Sequence, residues 1–429
     1  MRPVSSLSEQ ELNEPRPFAD LPRGLMPLGY RDFCLYWVGS ATTNAGRWVE
    51  LTGVVWLVYI LTDSPLLVGF LGAARALPAV LLSPIAGVIA DRLNLRTLLI
   101  VTQALALIGA LLLTVLVATE RVALWHIYAL VFFQATINSF DAVIRQALFP
   151  RLVPRAVLPK AVTLNITANR VSKFIGPAAG GFLIAGLGVA SPFLVNAITF
   201  LVMIAALLLM RPVSSDEPKA VAPFKKDILE GLRYIISRPV MSGILKLELA
   251  FGLFEMNPVM IAIIGREILG SGPEELGLLI SAPALGSFAG IVWLLTIQRT
   301  RRQGRFALLC MGAYSGVLAV LAVSSSYVVS FVALSAIGVL EVLVTVTRST
   351  IMQLAAPGQM RGRVMANMGT ITRGVGPLAE TQSGVLATML GSASAVLTAA
   401  GVVGIAAAVT AVFNRDLWNF SHGEDQAAP

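Results

Sequence analysis

Charged residues are scarce in this chain of 429 residues. Asp, Glu, Lys and Arg together make up 13% of it, whereas soluble globular proteins carry about a quarter. Hydrophobic residues make up 56%, and the mean hydropathy is +0.78. Apolar stretches of about 18 or more residues, each long enough to cross a bilayer as a helix, recur from Phe33 to Phe413. The composition excludes a soluble globular protein and predicts an all-α polytopic membrane protein.

Cysteine and histidine are also rare, with two residues of each. Cys34 and Cys310 both fall inside apolar stretches, which excludes a disulfide framework and leaves them as small apolar fillers. Neither His126 nor His422 is placed for metal binding or catalysis. No phosphate loop of the form G-x-x-x-x-G-K-[ST] occurs, which argues against a nucleotide-driven pump. We therefore expect a non-enzyme with no metal and no cofactor.

The apolar stretches predict twelve membrane spans, and the charges between them predict their orientation. The spans are 33–61, 65–90, 98–118, 123–148, 161–188, 192–210, 241–265, 276–297, 307–323, 328–354, 364–390 and 394–413. The loops on one side carry Arg92, Arg96, Arg151, Arg155, Lys160, Arg211, Lys219, Lys225, Lys226, Arg233, Arg238, Arg299, Arg301, Arg302, Arg305, Arg361 and Arg363. The opposite loops carry only Arg121 and Arg266. Because positive charge collects on the cytoplasmic side, both termini are predicted to be cytoplasmic. The net charge of +8 therefore requires no nucleic-acid partner.

The longest loop, 211–240, divides six predicted spans from six. It gives a cytoplasmic tail at 1–32, a six-helix bundle at 33–210, a linker at 211–240, a second bundle at 241–413 and a second cytoplasmic tail at 414–429. Within the linker, one stripe of a helix is formed by Ile228, Leu229, Leu232, Ile235 and Ile236. This stripe predicts either an amphipathic helix at the inner membrane surface or a plain connecting helix.

The two halves repeat with an offset of about 203 positions. The matching residues are Arg145 with Arg348, Pro154 with Pro357, Asn165 with Asn367, and Gly176-Pro177 with Gly376-Pro377. Parallel repeats related by an axis along the membrane normal are a known transporter architecture. The repeat predicts two pseudo-symmetric six-helix bundles around a central cavity.

A short charged turn, GVIADRLNLR, separates the second and third spans. It resembles the G-x-x-x-D-R-x-x-R-[RK] turn of the major facilitator superfamily at Gly87, Asp91, Arg92 and Arg96, with Thr97 at the last basic position. Four further stretches resemble the enterobactin-exporter-like and macrolide-efflux-like branch of that superfamily. They are RDFCLYWVGS at 31–40, WLVYILTDSPLLVG at 56–69, DAVIRQALFPRLVP at 141–154 and GRVMANMGT at 362–370.

The resemblance implies a proton-driven exporter in the bacterial cytoplasmic membrane. It also places Asp91 in a cytoplasmic gate, with Arg145 as its partner and Arg348 as the repeat counterpart of Arg145. The alternative is a tight turn in which Arg92 and Arg96 do no more than fix the topology. The antiporter motif of the fourth span departs from the family pattern, since Gln134 stands where an arginine is expected.

Ionisable residues inside the predicted spans indicate a polar path. They are Arg47, Glu50, Arg75, Asp141, Arg145, Arg170, Lys173, Lys246, Glu248, Glu255, Glu341, Arg348, Arg373 and Glu380. Each costs about 2.5–3.5 kcal/mol near the middle of a bilayer. Lys246 and Glu248 lie close enough to a predicted helix end to reach the interface. The others are expected to face a water-filled cavity or one another.

A carboxylate among Glu50, Glu255, Glu341 and Asp141 is predicted to carry a coupling proton, because burial favours the neutral form of a carboxyl group. The repeat brings Glu50 onto Glu255. Since the family fold lines its central cavity with spans one, four, seven and ten, the resemblance implies that these two glutamates face each other across the pseudo-twofold axis. Glu255 has no basic neighbour within a turn, whereas Glu50 has Arg47 and Asp141 has Arg145, as in ion pairs. Glu255 is therefore the first candidate. The alternative is that all four acids belong to structural ion pairs.

Further polar residues are predicted to line the cavity, namely Asn44, Arg47, Arg170, Lys173 and Asn257. Arg170 and Lys173 share a helix face and need an anion nearby, which could be Glu380, Asp141 or an anionic substrate. The expected partners are a small-molecule substrate, protons and membrane lipid, and we expect a monomer. The competing functions are a proton-coupled importer of a small metabolite and a non-transporting membrane anchor or receptor.

Overall fold

The computed structural model describes residues 24–90, 93–211, 224–296 and 302–421, and every regular element in those ranges is helical. The first half contains α1 (Arg31–Thr62), α2 (Pro65–Ala90), α3 (Leu95–Ala118), α4 (Leu124–Leu148), α5 (Leu158–Leu187) and α6 (Ser191–Leu209). The second half contains α7 (Phe224–Ser237), α8 (Pro239–Phe254), α9 (Pro258–Glu267), α10 (Pro273–Thr296), α11 (Gln303–Val323), α12 (Tyr327–Ala355), α13 (Gly358–Leu390), α14 (Ser392–Phe413) and α15 (Arg415–Trp418). The predicted all-α class is confirmed.

Many of these helices match the thickness of a bilayer. Within the described ranges, eight helical segments are long and apolar enough to cross a membrane, and the longest reach 29 residues. A helix is suited to this environment because it satisfies its own backbone hydrogen bonds where no water is available. The chain is therefore a multi-pass membrane protein.

The predicted span 241–265 is interrupted in the structure. Helix α8 ends at Phe254 and α9 begins at Pro258. Proline lacks a backbone N–H and disfavours the α conformation in the residue before it, which is Asn257. The side chain of Asn257 instead accepts a hydrogen bond from the backbone N–H of Met260 at 3.0 Å and so caps α9. The break leaves Glu255 and Met256 outside both helices.

The chain divides into two compact units. The first comprises Met1–Val54 and Leu77–Pro218. One of its apolar clusters joins α1, α3, α4 and α6 through fully buried side chains that include Phe33, Leu99 and Met203. These helices hold the polar side chains of the first unit in place.

The second unit comprises Val55–Ala76 and Lys219–Pro429, so it includes the end of α1 and the start of α2. In it α10 packs along α12, and α11 packs along α14. The first of these pairs is very close, because a methyl group at Gly286 would collide with the Ser335 carbonyl oxygen. Small residues allow this approach between membrane helices.

The linker helix predicted from the stripe of apolar residues is present as α7. It packs against α13, and its Ile235 side chain is fully buried. Glu230 on α7 forms an ion pair with Arg363 on α13 at 2.5 Å. Ile236 is 61% exposed, and the side chains of Ile228 and Leu229 lie outside the described ones. This packing favours the connecting-helix interpretation.

Candidate functional site

The first unit contains a buried carboxylate between two arginines. Asp141 on α4 is fully buried, and its Oδ2 accepts hydrogen bonds from Arg47 of α1 at 2.6 Å and from Arg145 at 2.7 Å. Its Oδ1 accepts a bond from Gln103 of α3 at 2.6 Å. Charge-assisted bonds of this length are strong, and they hold Asp141 in its ionised form. The Asp141–Arg145 pair predicted from the i,i+4 spacing is present.

Two predicted partners in this unit differ from the expectation. The spacing on α1 predicts Glu50, one turn away, as the partner of Arg47, but the Arg47 guanidinium forms an ion pair with Asp141 on another helix. Glu50 accepts a hydrogen bond from the Asn196 side chain of α6 at 2.5 Å. The reason is geometric: a long arginine side chain reaches across to a neighbouring helix as easily as along its own.

Arg145 is engaged on several sides. Besides Asp141, it donates to the hydroxyl groups of Ser40 at 3.0 Å and Thr43 at 3.4 Å, both on α1. Its guanidinium also lies 6.0 Å from the centre of the Tyr36 ring. These contacts tie α4 to α1 and fix the position of the arginine.

The charged turn is only partly described. Asp91 and Arg92 lie outside the described residues, so the predicted Asp91–Arg145 pair remains a prediction. Gly87 lies in the last turn of α2 with open space where a Cβ would be. Arg96 donates to the carbonyl oxygens of Leu207 and Leu208 at 2.6 and 2.9 Å. It thereby binds the last turn of α6, where cationic side chains satisfy orphan carbonyl groups.

Arg170 and Lys173 on α5 are half-buried, and among the described side chains neither makes an ion pair. The ammonium group of Lys173 lies 5.7 Å from the centre of the Trp48 ring of α1, a cation–π arrangement. The two acids proposed as their partners form ion pairs with other residues, Asp141 with Arg47 and Glu380 with Arg75. Neither of these two acids is therefore an ion-pair partner of Arg170 or Lys173. Asn44 is half-buried on the same α1 helix.

The second unit contains a buried ion pair between α8 and α12. Arg348 and Glu248 are 5% and 6% exposed, and they are joined by a 2.6 Å contact. Glu248 also accepts a hydrogen bond from Thr372 of α13 at 3.1 Å. The Arg348 guanidinium lies 5.2 Å from the centre of the Phe251 ring.

This burial corrects the expectation that Glu248 reaches the interface. Glu248 lies nine residues after Pro239, the first residue of α8, which places it about 14 Å along the helix. It is on the face that packs against α12, so it meets Arg348 instead of water. Lys246, two residues earlier on a different face, is exposed.

The break between α8 and α9 is a second polar centre of this unit. The Asn257 side chain donates to the hydroxyl of Ser383 on α13 at 2.8 Å. The backbone N–H of Met256 donates to the Tyr314 hydroxyl of α11 at 2.8 Å. Beside them is a cavity of about 20 Å³, lined in part by Glu255, Gln382 and Ser383. A site of that size has room for about one water molecule.

Three carboxylates of this unit interact with the same arginine, Arg348. Glu255 at the break and Glu341 on α12 both interact electrostatically with Arg348, as Glu248 does. Glu255 and Glu341 also interact electrostatically with the Tyr314 hydroxyl. Glu255 has no basic neighbour within a turn along the chain, but the fold places it close enough to Arg348 on α12 for an electrostatic interaction. Arg348 therefore interacts with three carboxylates in this part of the second unit.

Helices α2 and α13 meet in the second unit along a line of small residues. A Cβ at Gly69 would lie 2.7 Å from the Cα of Gly384, so the two backbones are in contact. One and a half turns further along α2, Arg75 donates to both carboxylate oxygens of Glu380, at 3.0 and 3.1 Å. We call the contact formed by Gly69, Gly384, Arg75 and Glu380 the α2–α13 seam.

Sequence reasoning missed several of these contacts. Gln103, Asn196, Tyr314 and Ser383 are uncharged and carry no motif, so no signal in the sequence marked them. Glu248, Arg75 and Glu380 were visible as ionisable residues inside spans, but their partners lie on distant helices. The Asn257-Pro258 pair was a readable sign of a helix break.

Comparison with known proteins identifies the family. The model of the transmembrane secretion effector family matches residues 23–427. The chain is 27% identical to the uncharacterised major-facilitator-type transporter YfiS of Bacillus subtilis (strain 168), over 83% of this chain and 86% of that one. It is 24% identical to the multidrug efflux pump Tap of Mycolicibacterium fortuitum over 82% and 88% of the chains. It is 26% identical to the enterobactin exporter EntS of Salmonella typhi over 65% and 67%.

Solved transporter structures share the fold. The nucleoside transporter NupG superimposes with a TM-score of 0.71 at 12% identity, covering 91% of this chain and all 100% of the other. A bacterial homologue of the iron transporter ferroportin in an inward-facing state gives 0.63 at 18% identity, over 88% and 98%. The chain belongs to the transmembrane secretion effector family and is a multi-pass transporter of the major facilitator type, not an enzyme.

Proposed function

We propose that this transporter exports a small organic molecule, drug-like or siderophore-like, by proton antiport with alternating access. In this proposal α1–α6 form one six-helix bundle, and the broken α8–α9 span forms the other with α10–α14. Both termini are cytoplasmic, and the chain acts as a monomer in the bacterial cytoplasmic membrane. The relatives support the direction of transport, because one is named a multidrug efflux pump and another an enterobactin exporter.

The carrying observation is the break between α8 and α9, which places the acidic residue Glu255 outside both helices and beside a small cavity. Glu248, Glu255 and Glu341 all interact electrostatically with Arg348. Burial in a poorly hydrated region disfavours the charged form of a carboxyl group, so an acid of this cluster can take up a proton. Glu248 is the acid in direct contact with Arg348, so the proton falls to Glu255 or Glu341.

Glu255 is the preferred carrier because of its position. It is half-buried in the helix break, beside a cavity with room for one water molecule, and needs no change in helical hydrogen bonding to move. Broken helices that place ion-coupling groups within the membrane are a recurrent feature of secondary transporters. Asp141 is a poorer carrier than Glu255, because hydrogen bonds from two arginines and from Gln103 stabilise its charged carboxylate.

The test is transport in proteoliposomes with an imposed pH gradient, using dyes, macrolides and catecholate siderophores as the panel. We expect uphill substrate movement coupled to proton flow in the wild type, and loss of coupling in Glu255→Gln. The matched control is Glu274→Gln, which removes an exposed carboxylate from the first turn of α10. Full coupling in Glu255→Gln would move the proton to Glu341.

The same assay separates the alternatives. Substrate movement in the same direction as the protons would show an importer. Downhill movement alone, insensitive to the pH gradient in every variant, would refute proton coupling. An absence of transport for every panel member, combined with specific binding of one of them, would favour a receptor.

A further inference from the structure

A groove at one end of the second unit is separate from the charge clusters described above. It runs between the start of α8 and the end of α14, and it has a volume of about 480 Å³. That volume falls within the range of about 300–1,000 Å³ typical of small-molecule sites. Its lining includes Ser242, Lys246, Val409, Phe413, Arg415 and Asp416.

The groove is built on a fixed frame. Asn414, the residue between α14 and α15, donates from its side chain to the carbonyl oxygen of Pro239 at 2.7 Å. Its Oδ1 accepts a bond from the backbone N–H of Leu417 at 3.0 Å. Gly243 packs directly against the Asn414 side chain. These contacts join the three helices that form the walls.

Two exposed cations, Lys246 and Arg415, contribute to the lining. Among the described residues, neither makes an ion pair. Asp416 is the acidic residue of the lining, so the lining carries a net positive charge. Lys246 is seven residues past Pro239, which places its Cα about 10 Å along α8. A cation at that depth is stabilised by a nearby anion at the membrane interface.

The wall opposite α8 is apolar and exposed. Val409, Val412 and Phe413 on α14 are 49%, 67% and 82% exposed, and α14 is one of the segments that can span a membrane. A soluble anion would find its charge partner here but would leave this apolar wall uncovered. An anionic phospholipid satisfies both features, because its phosphate meets the cations and its acyl chains cover α14.

We propose that this groove binds one anionic phospholipid, with its headgroup phosphate between Lys246 and Arg415 and its acyl chains along α14. The site is independent of the proposed direction of transport and of the proton carrier.

The test is native mass spectrometry of the full chain in a neutral detergent. The protein is titrated with phosphatidylglycerol or with phosphatidylcholine of the same acyl chains. We expect one phosphatidylglycerol to bind more tightly than phosphatidylcholine. Lys246→Gln and Arg415→Gln should each weaken its binding about fivefold, since each removes one cation near the surface. Arg361→Gln, which removes an exposed cation at the start of α13, is the control and should leave binding unchanged.

Several results would overturn the proposal. Equal retention of the two lipids by the wild type would show that charge plays no part. Equal behaviour of Lys246→Gln and Arg361→Gln would exclude the groove as the location. Displacement of phosphatidylglycerol by millimolar glycerol 3-phosphate would identify a site for soluble phosphates. Arg415 lies outside the predicted spans. If Lys246→Gln does not fold, the comparison of Arg415→Gln with Arg361→Gln therefore still tests the proposal.

Discussion

Replacement of Arg348 by methionine tests whether buried charge pairing holds the second unit together. The ion pair with Glu248 spans 2.6 Å, and the two side chains are only 6% and 7% exposed. Arg348→Met leaves Glu248 buried, with Glu255 and Glu341 as further acids close by. Leaving one member of a buried pair without its counter-ion costs about 3–5 kcal/mol. We therefore expect a loss of that size in the free energy of unfolding.

The chain offers a matched control in the pair between Arg363 and Glu230. Its contact is 2.5 Å, but the side chains are 40% and 44% exposed. Exposed pairs contribute about 0–1 kcal/mol, so Arg363→Met should have a small effect. Equilibrium unfolding in mixed micelles, followed by tryptophan fluorescence, measures both variants.

A second substitution separates the charge effect from lost packing. The double variant Arg348→Met with Glu248→Met removes both buried charges, and such replacements are often neutral or stabilising. We expect it to recover stability to within about 1 kcal/mol of the wild type. Equal losses for Arg348→Met and Arg363→Met, or no recovery in the double variant, would refute the reasoning.

Three further predictions use the same unfolding and transport assays. Asp141→Asn leaves two guanidinium groups facing each other without their carboxylate, so the free energy of unfolding should fall by about 3–5 kcal/mol. An unchanged free energy of unfolding would contradict the pairing of Asp141 with Arg47 and Arg145. Gly384→Leu forces a side chain into Gly69 and should cost about 1–3 kcal/mol, whereas Gly401→Leu enters open space and should stay within about 0.5 kcal/mol. Lys173→Met removes a cation that has no ion-pair partner among the described side chains. The KM for transport should therefore rise roughly tenfold for anionic substrates and stay unchanged for neutral ones. Equal changes in KM for both kinds of substrate would show that Lys173 has a structural role.

The helices of this protein were largely readable from the sequence. Apolar length predicted most of them to within a few residues, as for α2 at Pro65–Ala90 and α14 at Ser392–Phe413. The linker helix was readable from its stripe of Ile and Leu. These features are local, because bilayer thickness and backbone hydrogen bonding act on each segment separately.

The charged residues of the candidate site were visible for the same reason, since an ionisable side chain is conspicuous in an apolar stretch. Spacing on one helix also predicted the Asp141–Arg145 pair, which is four residues apart. It failed where the partner lies on another helix. Arg47 pairs with Asp141 at a separation of 94 residues, and Arg75 pairs with Glu380 at a separation of 305.

The sequence by itself therefore determined the class of the protein, the approximate bounds of most of its helices and the ionisable residues that lie inside them. Only the tertiary structure decided which charges meet. It buried Glu248 against Arg348, held Asp141 between two arginines and left Glu255 at a helix break beside a small cavity. The physical reason is that hydropathy and helix periodicity act over a few residues, whereas pairing depends on how helices distant in sequence pack face to face.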